Sequence, residues 1–213
     1  MNFKYYKISV LIPLILILTL LITPFSNWLE SEISKSENWK NIYSYVGAFS
    51  TISILTFILY LINNFLWKSQ ISKPLVDLPN LNGRYEGTLN STYIDPSSQQ
   101  QTQKKCVLEI KQTASYIKIN SYYGDLNSNN QSSCSTSVSE EIIKSSNDIF
   151  EIFYIYTNDA NSLETQLHNH KGTCSLKYYP DIKTLEGEYY NQRGYQGTIK
   201  VSFTQEKTLG RLN

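Results

Sequence analysis

Residues 150–156 read FEIFYIY, and residues 185–191 read LEGEYYN. In the first stretch Phe150, Ile152, Tyr154 and Tyr156 share one face of an extended chain, while Glu151 lies on the other. This alternation with a period of two predicts a half-buried strand. The same alternation recurs from residue 80 onward between turns rich in Asn, Asp, Ser, Gly and Pro. Strands are predicted near 83–94, 104–112, 115–123, 133–144, 148–158, 167–179, 183–191 and 196–206.

Eight short strands predict an all-β domain, an eight-stranded up-and-down β-barrel of the lipocalin-like kind. Closing the sheet removes the exposed edges that an open sheet would leave. The interior of such a barrel is filled by side chains or holds one small ligand. Alternation also places residues 185, 187 and 189, and residues 199, 201 and 203, on the inward face. An error of one residue in register would reverse each of these assignments.

Two apolar runs without charged residues precede the strands, at residues 8–25 and 46–67. Each is long enough to cross a hydrocarbon core of about 30 Å as a helix. The predicted organisation is a two-helix transmembrane hairpin over 1–72, a linker over 73–79, the barrel over 80–207 and a tail over 208–213. Gly47 and Thr51 are small residues four apart in the second run, a spacing typical of close helix contacts in lipid.

Positive charges flank the hairpin on its outer sides. Lys4 and Lys7 precede the first run, and Lys68 and Lys73 follow the second. The connecting segment has no excess of positive charge, which predicts that both termini are cytoplasmic. A cleaved signal peptide is the alternative for the first run, but no small-x-small cleavage site follows it.

Composition excludes several classes of function. The net charge of +1 does not favour binding of a nucleic acid polymer. Motifs for phosphate loops, dinucleotide folds, nucleophile elbows and zinc proteases are absent from the sequence, so no enzymatic activity is predicted. Three cysteines at long spacings, without any Cys-x-x-Cys pair, predict neither a disulfide framework nor a metal site.

A short motif occurs twice in the barrel sequence. Residues 81–85 read LNGRY and residues 185–189 read LEGEY, so both have the form Leu-x-Gly-x-Tyr. The first copy continues to Gly87, and the second is followed by Arg193 and Gly197-Thr198. Together with two apolar runs and a β-rich domain, this pattern resembles the SMODS-associated two-transmembrane, β-strand-rich effectors of CBASS anti-phage defence.

The resemblance implies a function without an active site or cofactor. Such effectors are expected to bind a cyclic dinucleotide made by a partner nucleotidyltransferase. Ligand binding in the barrel would drive homo-oligomerisation of the hairpins in the lipid bilayer. Disruption of the inner membrane would then end the infection by abortive death of the cell.

A cyclic dinucleotide presents two phosphates and two planar bases. The phosphates are best bound by Arg, whose guanidinium makes two parallel hydrogen bonds, and the bases by aromatic rings on which they stack. The chain has 17 tyrosines, and only three arginines. Arg193 is the first candidate for a phosphate contact, with Thr198 as a nearby hydroxyl donor. The remaining candidates for ligand binding are Tyr85, Tyr189, Tyr154, Tyr156, Tyr178, Arg84 and Lys171.

Two other classes of function stay open from the residues alone. The first is a membrane-anchored, lipocalin-like carrier of a fatty acid or haem, which requires a mainly aliphatic interior. The second is a structural membrane protein whose filled barrel docks a protein partner and contains no cavity.

Overall fold

The computed structural model describes residues 2–35, 50–96, 98–126, 130–145, 148–160 and 168–213. They form two compact units. The helical unit comprises Met1–Leu78 together with Thr113–Tyr116. The barrel unit comprises Pro79–Gln112 and Ile117–Asn213.

Helix α1 of the helical unit runs from Ile8 to Ser34 and is 27 residues long. It is long and apolar enough to cross a membrane, and few of its side chains are buried in the protein. The helix continues nine residues past Phe25, where the first apolar run ends. Pro24 lies inside it. A proline deprives only the carbonyl four residues earlier of its usual donor, so the helix can resume beyond it.

Helix α2 runs from Thr51 to Asn64 and covers part of the second apolar run. Ser50 caps it, because the Ser50 hydroxyl accepts a hydrogen bond from the backbone N–H of Ser53 at 3.2 Å. Two 3₁₀ turns follow, Leu66–Lys68 and Gln70–Ser72. Within the described ranges, α1 alone meets the length for a full membrane crossing. Residues 46–49, which include Gly47 of the small-residue pair, lie outside those ranges.

An apolar cluster joins the two helices to the segment that follows them. Leu75 and Val76, in the segment predicted as a linker, are buried in this cluster. Asn63 is its buried polar group, and its side-chain carbonyl accepts hydrogen bonds from the Tyr6 and Ser115 hydroxyls. The buried members of the cluster are Tyr6, Leu11, Leu59, Trp67, Leu75, Val76 and Ala114.

The barrel unit confirms the predicted fold class. Eight antiparallel strands pair in chain order, and β1 pairs with β8 to close the barrel. The strands are β1 Gly83–Ile94, β2 Gln101–Gln112, β3 Ile117–Gly124, β4 Gln131–Lys144, β5 Phe150–Ala160, β6 His170–Tyr179, β7 Thr184–Asn191 and β8 Gln196–Gln205.

The two ends of the barrel interior differ. At the end where β1 begins and β8 ends, here called the filled end, large side chains occupy the interior. Tyr85 there is 1% exposed and packs edge-on against Phe203, with ring centroids 5.5 Å apart. The Tyr85 hydroxyl donates a hydrogen bond to Tyr178. The opposite end, where β1 ends and β8 begins, is called the open end.

Residues 206–213, the C-terminal strap, lie against the outer face of the barrel. Glu109 on β2 accepts hydrogen bonds from the backbone N–H groups of Leu209 and Gly210, at 2.7 and 3.0 Å. Arg84 on β1 donates to the carbonyls of Arg211 and Leu212. Arg84 and Glu109 also form an ion pair at 2.8 Å, with side chains 2% and 3% exposed. The strap therefore covers charges that would otherwise face solvent.

Candidate functional site

A cavity of about 390 Å³ occupies the open end of the barrel. Its volume is in the range of sites for small molecules. All eight strands or the turns beside them contribute to its wall. The lining residues are Leu89, Ser91, Tyr93, Asp95, Pro96, Thr102, Lys104, Tyr123, Ser132, Ser133, Tyr156, Asn158, His170, Tyr189, Asn191, Arg193 and Tyr195.

One part of the wall combines aromatic rings with a guanidinium. Arg193 lies in the turn between β7 and β8, and its Cζ atom is 5.5 Å from the ring centroid of Tyr195. Tyr195 in turn packs edge-on against Tyr93 of β1, with ring centroids 5.1 Å apart. The quadrupole of an aromatic ring attracts a guanidinium placed over its face, and this attraction favours one orientation of the guanidinium and its N–H donors.

The β7–β8 turn is held in place by one side chain. The Asn191 side-chain carbonyl accepts hydrogen bonds from the backbone N–H groups of Arg193 and Tyr195, both at 3.0 Å. The backbone N–H of Asn191 donates to the Tyr195 carbonyl at 2.9 Å. The strand end and its turn therefore place Arg193 at the cavity with little freedom of the backbone.

Two glycines make room for two of the cavity tyrosines. A Cβ atom on Gly197 would lie 2.8 Å from Cε1 of Tyr189. A Cβ atom on Gly172 would collide with the ring and hydroxyl of Tyr156. Gly197 belongs to the Gly-Thr pair noted in the sequence. A Cβ atom there would also collide with the Asn90 backbone carbonyl, so this glycine permits the close approach of β1 and leaves room for the Tyr189 ring.

Tyr156 and Tyr189 of the cavity wall are neutral at physiological pH. Burial raises the pKa values of Tyr156 and Tyr189, and a hydrogen bond from Ser91 to the Tyr189 hydroxyl only partly offsets this for Tyr189. Charge in the wall comes instead from groups such as Arg193 and Lys104, whose ammonium is 2.5 Å from a carboxylate oxygen of Asp125. The tyrosines therefore offer rings and neutral hydroxyls.

The wall across the barrel from Arg193 is polar and uncharged. Ser132 and Ser133 of β4 and Asn158 of β5 are buried there. Among the residues that the structure describes, Asn158 Nδ2 and Thr102 Oγ1 are buried without a hydrogen-bond partner. Buried polar groups are nearly always paired, so unpaired ones in a cavity wall point to a ligand or water.

Three of the residues predicted to bind a ligand line this cavity together: Arg193, Tyr156 and Tyr189. Tyr85 and Tyr178 lie at the filled end, where they bond to each other. Tyr154 is buried below the cavity, where its hydroxyl donates to the Cys174 sulfur.

The other three predicted residues lie on the outside of the barrel. Arg84 binds Glu86, Glu109 and the C-terminal strap. Thr198 and Lys171 have exposed side chains on the outer faces of β8 and β6. Their positions do not bring them to the cavity wall.

Several lining residues were not singled out from the sequence. Asn158 shares the inward face of β5 with Tyr154 and Tyr156, which alternation already marked as inward, whereas no inward face was assigned for β3, which carries Tyr123. Tyr195 lies two residues after Arg193, and Tyr93 lies eight residues after Tyr85 on the same face of β1. Extending the alternation to the ends of the strands would have found them.

Metal chemistry has no candidate group in the described ranges, where no cluster of three or more His, Cys, Asp or Glu side chains is placed to hold an ion. Cys106 and Cys174 are buried, and Cys134 is partly exposed; all three are free thiols.

The cavity lining is poor in aliphatic side chains, which disfavours a carrier of fatty acid. A cavity of this size is inconsistent with a fully filled barrel.

Comparison with known proteins agrees with the fold and the cavity. The chain is similar to CD-NTase-associated protein 15 of Yersinia aleksiciae, with 24% identity over 139 residues. The match spans 64% of this chain and 61% of that relative. Residues 76–205 match the family described as Cap15, cyclic dinucleotide receptor domain. Because this match covers more than half of the chain, the protein belongs to the Cap15 cyclic dinucleotide receptor domain family.

Proposed function

We propose that the protein is a CBASS anti-phage effector whose barrel binds a cyclic dinucleotide in the open-end cavity. Arg193, Tyr156 and Tyr189 are the proposed ligand contacts among the residues predicted from the sequence. The observation that carries the proposal is the Arg193 guanidinium held beside the Tyr195 ring at the cavity of a receptor-family barrel.

The chemistry of the wall suits this class of ligand. A guanidinium makes paired hydrogen bonds to phosphate oxygens. Neutral tyrosine rings stack on bases of any identity, and their hydroxyls add hydrogen bonds without adding charge. Tyr93, Tyr156, Tyr189 and Tyr195 supply these faces around one cavity.

The output of the proposed effector is mechanical, and it requires no catalytic step. In this proposal α1 and the second apolar run both cross the bacterial inner membrane, with both termini in the cytoplasm. A cyclic dinucleotide made by a partner nucleotidyltransferase drives association of these spans. The resulting disruption of the membrane causes abortive infection.

The first experiment measures binding by the full-length chain in detergent. A panel of cyclic dinucleotides is titrated, with a fatty acid and haem as controls. We expect one or a few dinucleotides to raise the melting temperature, because a ligand selective for the folded state stabilises it by RT ln(1 + [L]/Kd). A shift with fatty acid or haem alone would support the carrier function and overturn the proposal.

Arg193→Ala tests the site within the same experiment. We expect affinity to fall by about tenfold to a hundredfold, since hydrogen bonds to charged groups contribute about 1.5–3 kcal/mol. Arg211→Ala is the matched control, because its exposed side chain lies in the strap outside the cavity. Equal affinity of the two variants would remove Arg193 from the site.

The membrane step is tested separately with the full-length chain reconstituted in vesicles that contain a fluorescent dye. Addition of the bound dinucleotide is expected to release dye from vesicles with the wild-type chain and not from those with Arg193→Ala. Binding without any dye release would retain the receptor and reject membrane disruption.

A further inference from the structure

The order of the strands divides the cavity into two chemically different sides. With eight strands paired in chain order, β1 lies across the barrel from β5, and β8 lies across from β4. Arg193, Tyr195 and Tyr93 therefore face the side formed by Ser133 and Asn158. The first side carries the charged groups Arg193 and Asp95 with two aromatic rings, and the second carries neutral polar groups beside the rings of Tyr123 and Tyr156.

Asn158 is the most deeply placed polar group of the neutral side. Its side chain belongs to a residue that is 4% exposed, and it lines the cavity. No hydrogen-bond partner for its Nδ2 atom is found in the described part of the chain. An amide that is buried and unpaired costs stability, whereas an apolar side chain of similar shape would not. A ligand that accepts a hydrogen bond from Asn158 Nδ2 would explain why an unpaired amide lies in this wall.

His170 adds the complementary group beside Asn158. The two residues are register partners on β5 and β6, so their Cβ atoms are neighbours on the inward face. The His170 Nδ1 atom lies 2.9 Å from the His168 carbonyl, to which it donates its proton. In the neutral ring this leaves Nε2 as an acceptor. A donor and an acceptor thus stand side by side.

A base edge suits this pair better than a phosphate does. Each nucleobase presents a donor and an acceptor next to each other on its pairing edge. Their order is reversed between bases with an exocyclic amine there (adenine, cytosine) and bases with an exocyclic carbonyl (guanine, uracil), so a fixed donor–acceptor pair distinguishes the two kinds. A phosphate buried against neutral amide and hydroxyl groups would lack a compensating cation, which is costly. Of the two cations named in the wall, Arg193 lies on the other side of the cavity, and Lys104 on β2 is paired with Asp125.

We infer that Asn158, with His170 beside it, forms a subsite that selects the base of the bound ligand by hydrogen bonds to its pairing edge. This inference rests on the proposed binding of a cyclic dinucleotide. It assigns the phosphate contact to the Arg193 side and the choice among bases to the Asn158 side.

The test compares affinities of the full-length chain for cyclic dinucleotides that differ in one base. Asn158→Asp replaces the donor with an acceptor, and Asn158→Leu removes both. We expect affinity for the best ligand to fall by about tenfold to a hundredfold, the effect of unpairing a buried group, and by less for the poorest ligand. The ratio of the two dissociation constants therefore changes. Asn90→Asp is the control, because Asn90 is exposed on the outer face of β1.

The thermal stability of the ligand-free variants separates selection from a structural role. Asn158→Leu is expected to keep or raise the melting temperature, since it removes an unpaired buried amide. An equal loss of affinity for all dinucleotides, together with a lower melting temperature, would overturn the inference. Unchanged affinities would overturn it as well. Absence of binding by the wild-type chain would instead overturn the proposed function on which the inference rests.

Discussion

The filled end and the open end of the barrel use the same residue type in opposite ways. At the filled end Tyr85 and Tyr178 bond to each other, and the Tyr85 ring packs against Phe203. At the open end Tyr156 and Tyr189 point their rings at a cavity. All four lie on inward faces of strands. The position of a tyrosine along the barrel axis, rather than its type or its face, therefore decides whether it stabilises the fold or lines the site.

The arginines show the same contrast. Arg84 is buried on the outer face in an ion pair with Glu109 and holds the C-terminal strap. Arg193 lies at the cavity beside Tyr195. Arg84 lies inside the first copy of the repeated Leu-x-Gly-x-Tyr motif, and Arg193 follows shortly after the second copy. Only the partners around each guanidinium separate a structural role from a role in binding.

The largest effect on stability is expected from Tyr85→Ala at the filled end. Removing a fully buried aromatic ring is expected to lower the free energy of unfolding by about 3–5 kcal/mol, because a cavity replaces its contacts. Tyr93→Ala at the open end is the comparison, with an expected loss of about 1 kcal/mol. Urea unfolding measures both. Equal losses would show that the two ends do not differ in packing.

Glu109→Gln is expected to have the next largest effect. It removes the buried carboxylate that pairs with Arg84, and breaking a buried ion pair costs about 3–5 kcal/mol. The half-exposed Glu86, at 2.6 Å, retains part of the pairing. Asp125→Asn breaks the exposed pair with Lys104 and is expected to cost about 0–1 kcal/mol. Thermal unfolding of the two variants tests the contrast. A similar decrease in both would contradict a special role of the buried pair.

A smaller effect is expected from Tyr189→Phe, which deletes the hydroxyl that accepts a hydrogen bond from Ser91. In the proposed complex the proton of this hydroxyl is donated to the ligand. Loss of one such hydrogen bond costs about 1 kcal/mol, so ligand affinity is expected to fall about fivefold while the ring still packs. Tyr190→Phe is the control, because the neighbouring hydroxyl bonds to Glu188 on the outer face. Titration of the bound dinucleotide measures both variants. Equal affinities would exclude the Tyr189 hydroxyl from binding.

The smallest effect at neutral pH is expected from Cys174→Ser, which matters only in alkali. Burial raises the pKa of the Cys174 thiol from 9.0 to about 12. The folded chain then keeps a proton that the unfolded chain releases, so stability from this group is complete below pH 9 and decreases as the pH rises from 9 toward 12. Serine still accepts the hydrogen bond from Tyr154 but does not titrate in this range. Urea unfolding between pH 7 and 10.5 should show a shallower alkaline decline for the variant, and identical slopes would contradict the assignment.

Much of the barrel was predictable because strand patterns are local. Alternation predicted β1 over 83–94, the bounds that the structure shows. The prediction for β3 began at residue 115, but Thr113–Tyr116 form a turn closed by a hydrogen bond from the Thr113 N–H to the Tyr116 carbonyl. Helix α1 also ran past the predicted end of its apolar run, since polar residues continue a helix once it has formed.

The site was predictable only in part. All five tyrosines Tyr85, Tyr154, Tyr156, Tyr178 and Tyr189 were predicted to bind the ligand, but of these Tyr156 and Tyr189 alone line the cavity. Arg84 was predicted to bind the ligand because nothing local indicates that Glu109 and the strap, far along the chain, would enclose its side chain. Contacts at such sequence separations depend on how all the strands pair.

The sequence by itself determined the fold class, the apolar N-terminal helix and the inward faces of β5, β7 and β8, because each of these follows from residue types at short, regular spacing. Only the tertiary structure decided which inward residues share one level of the barrel. That level is set by the stagger between paired strands, which brings Arg193, Tyr156 and Asn158 to a single cavity and sends Tyr85 and Tyr178 to the packed end.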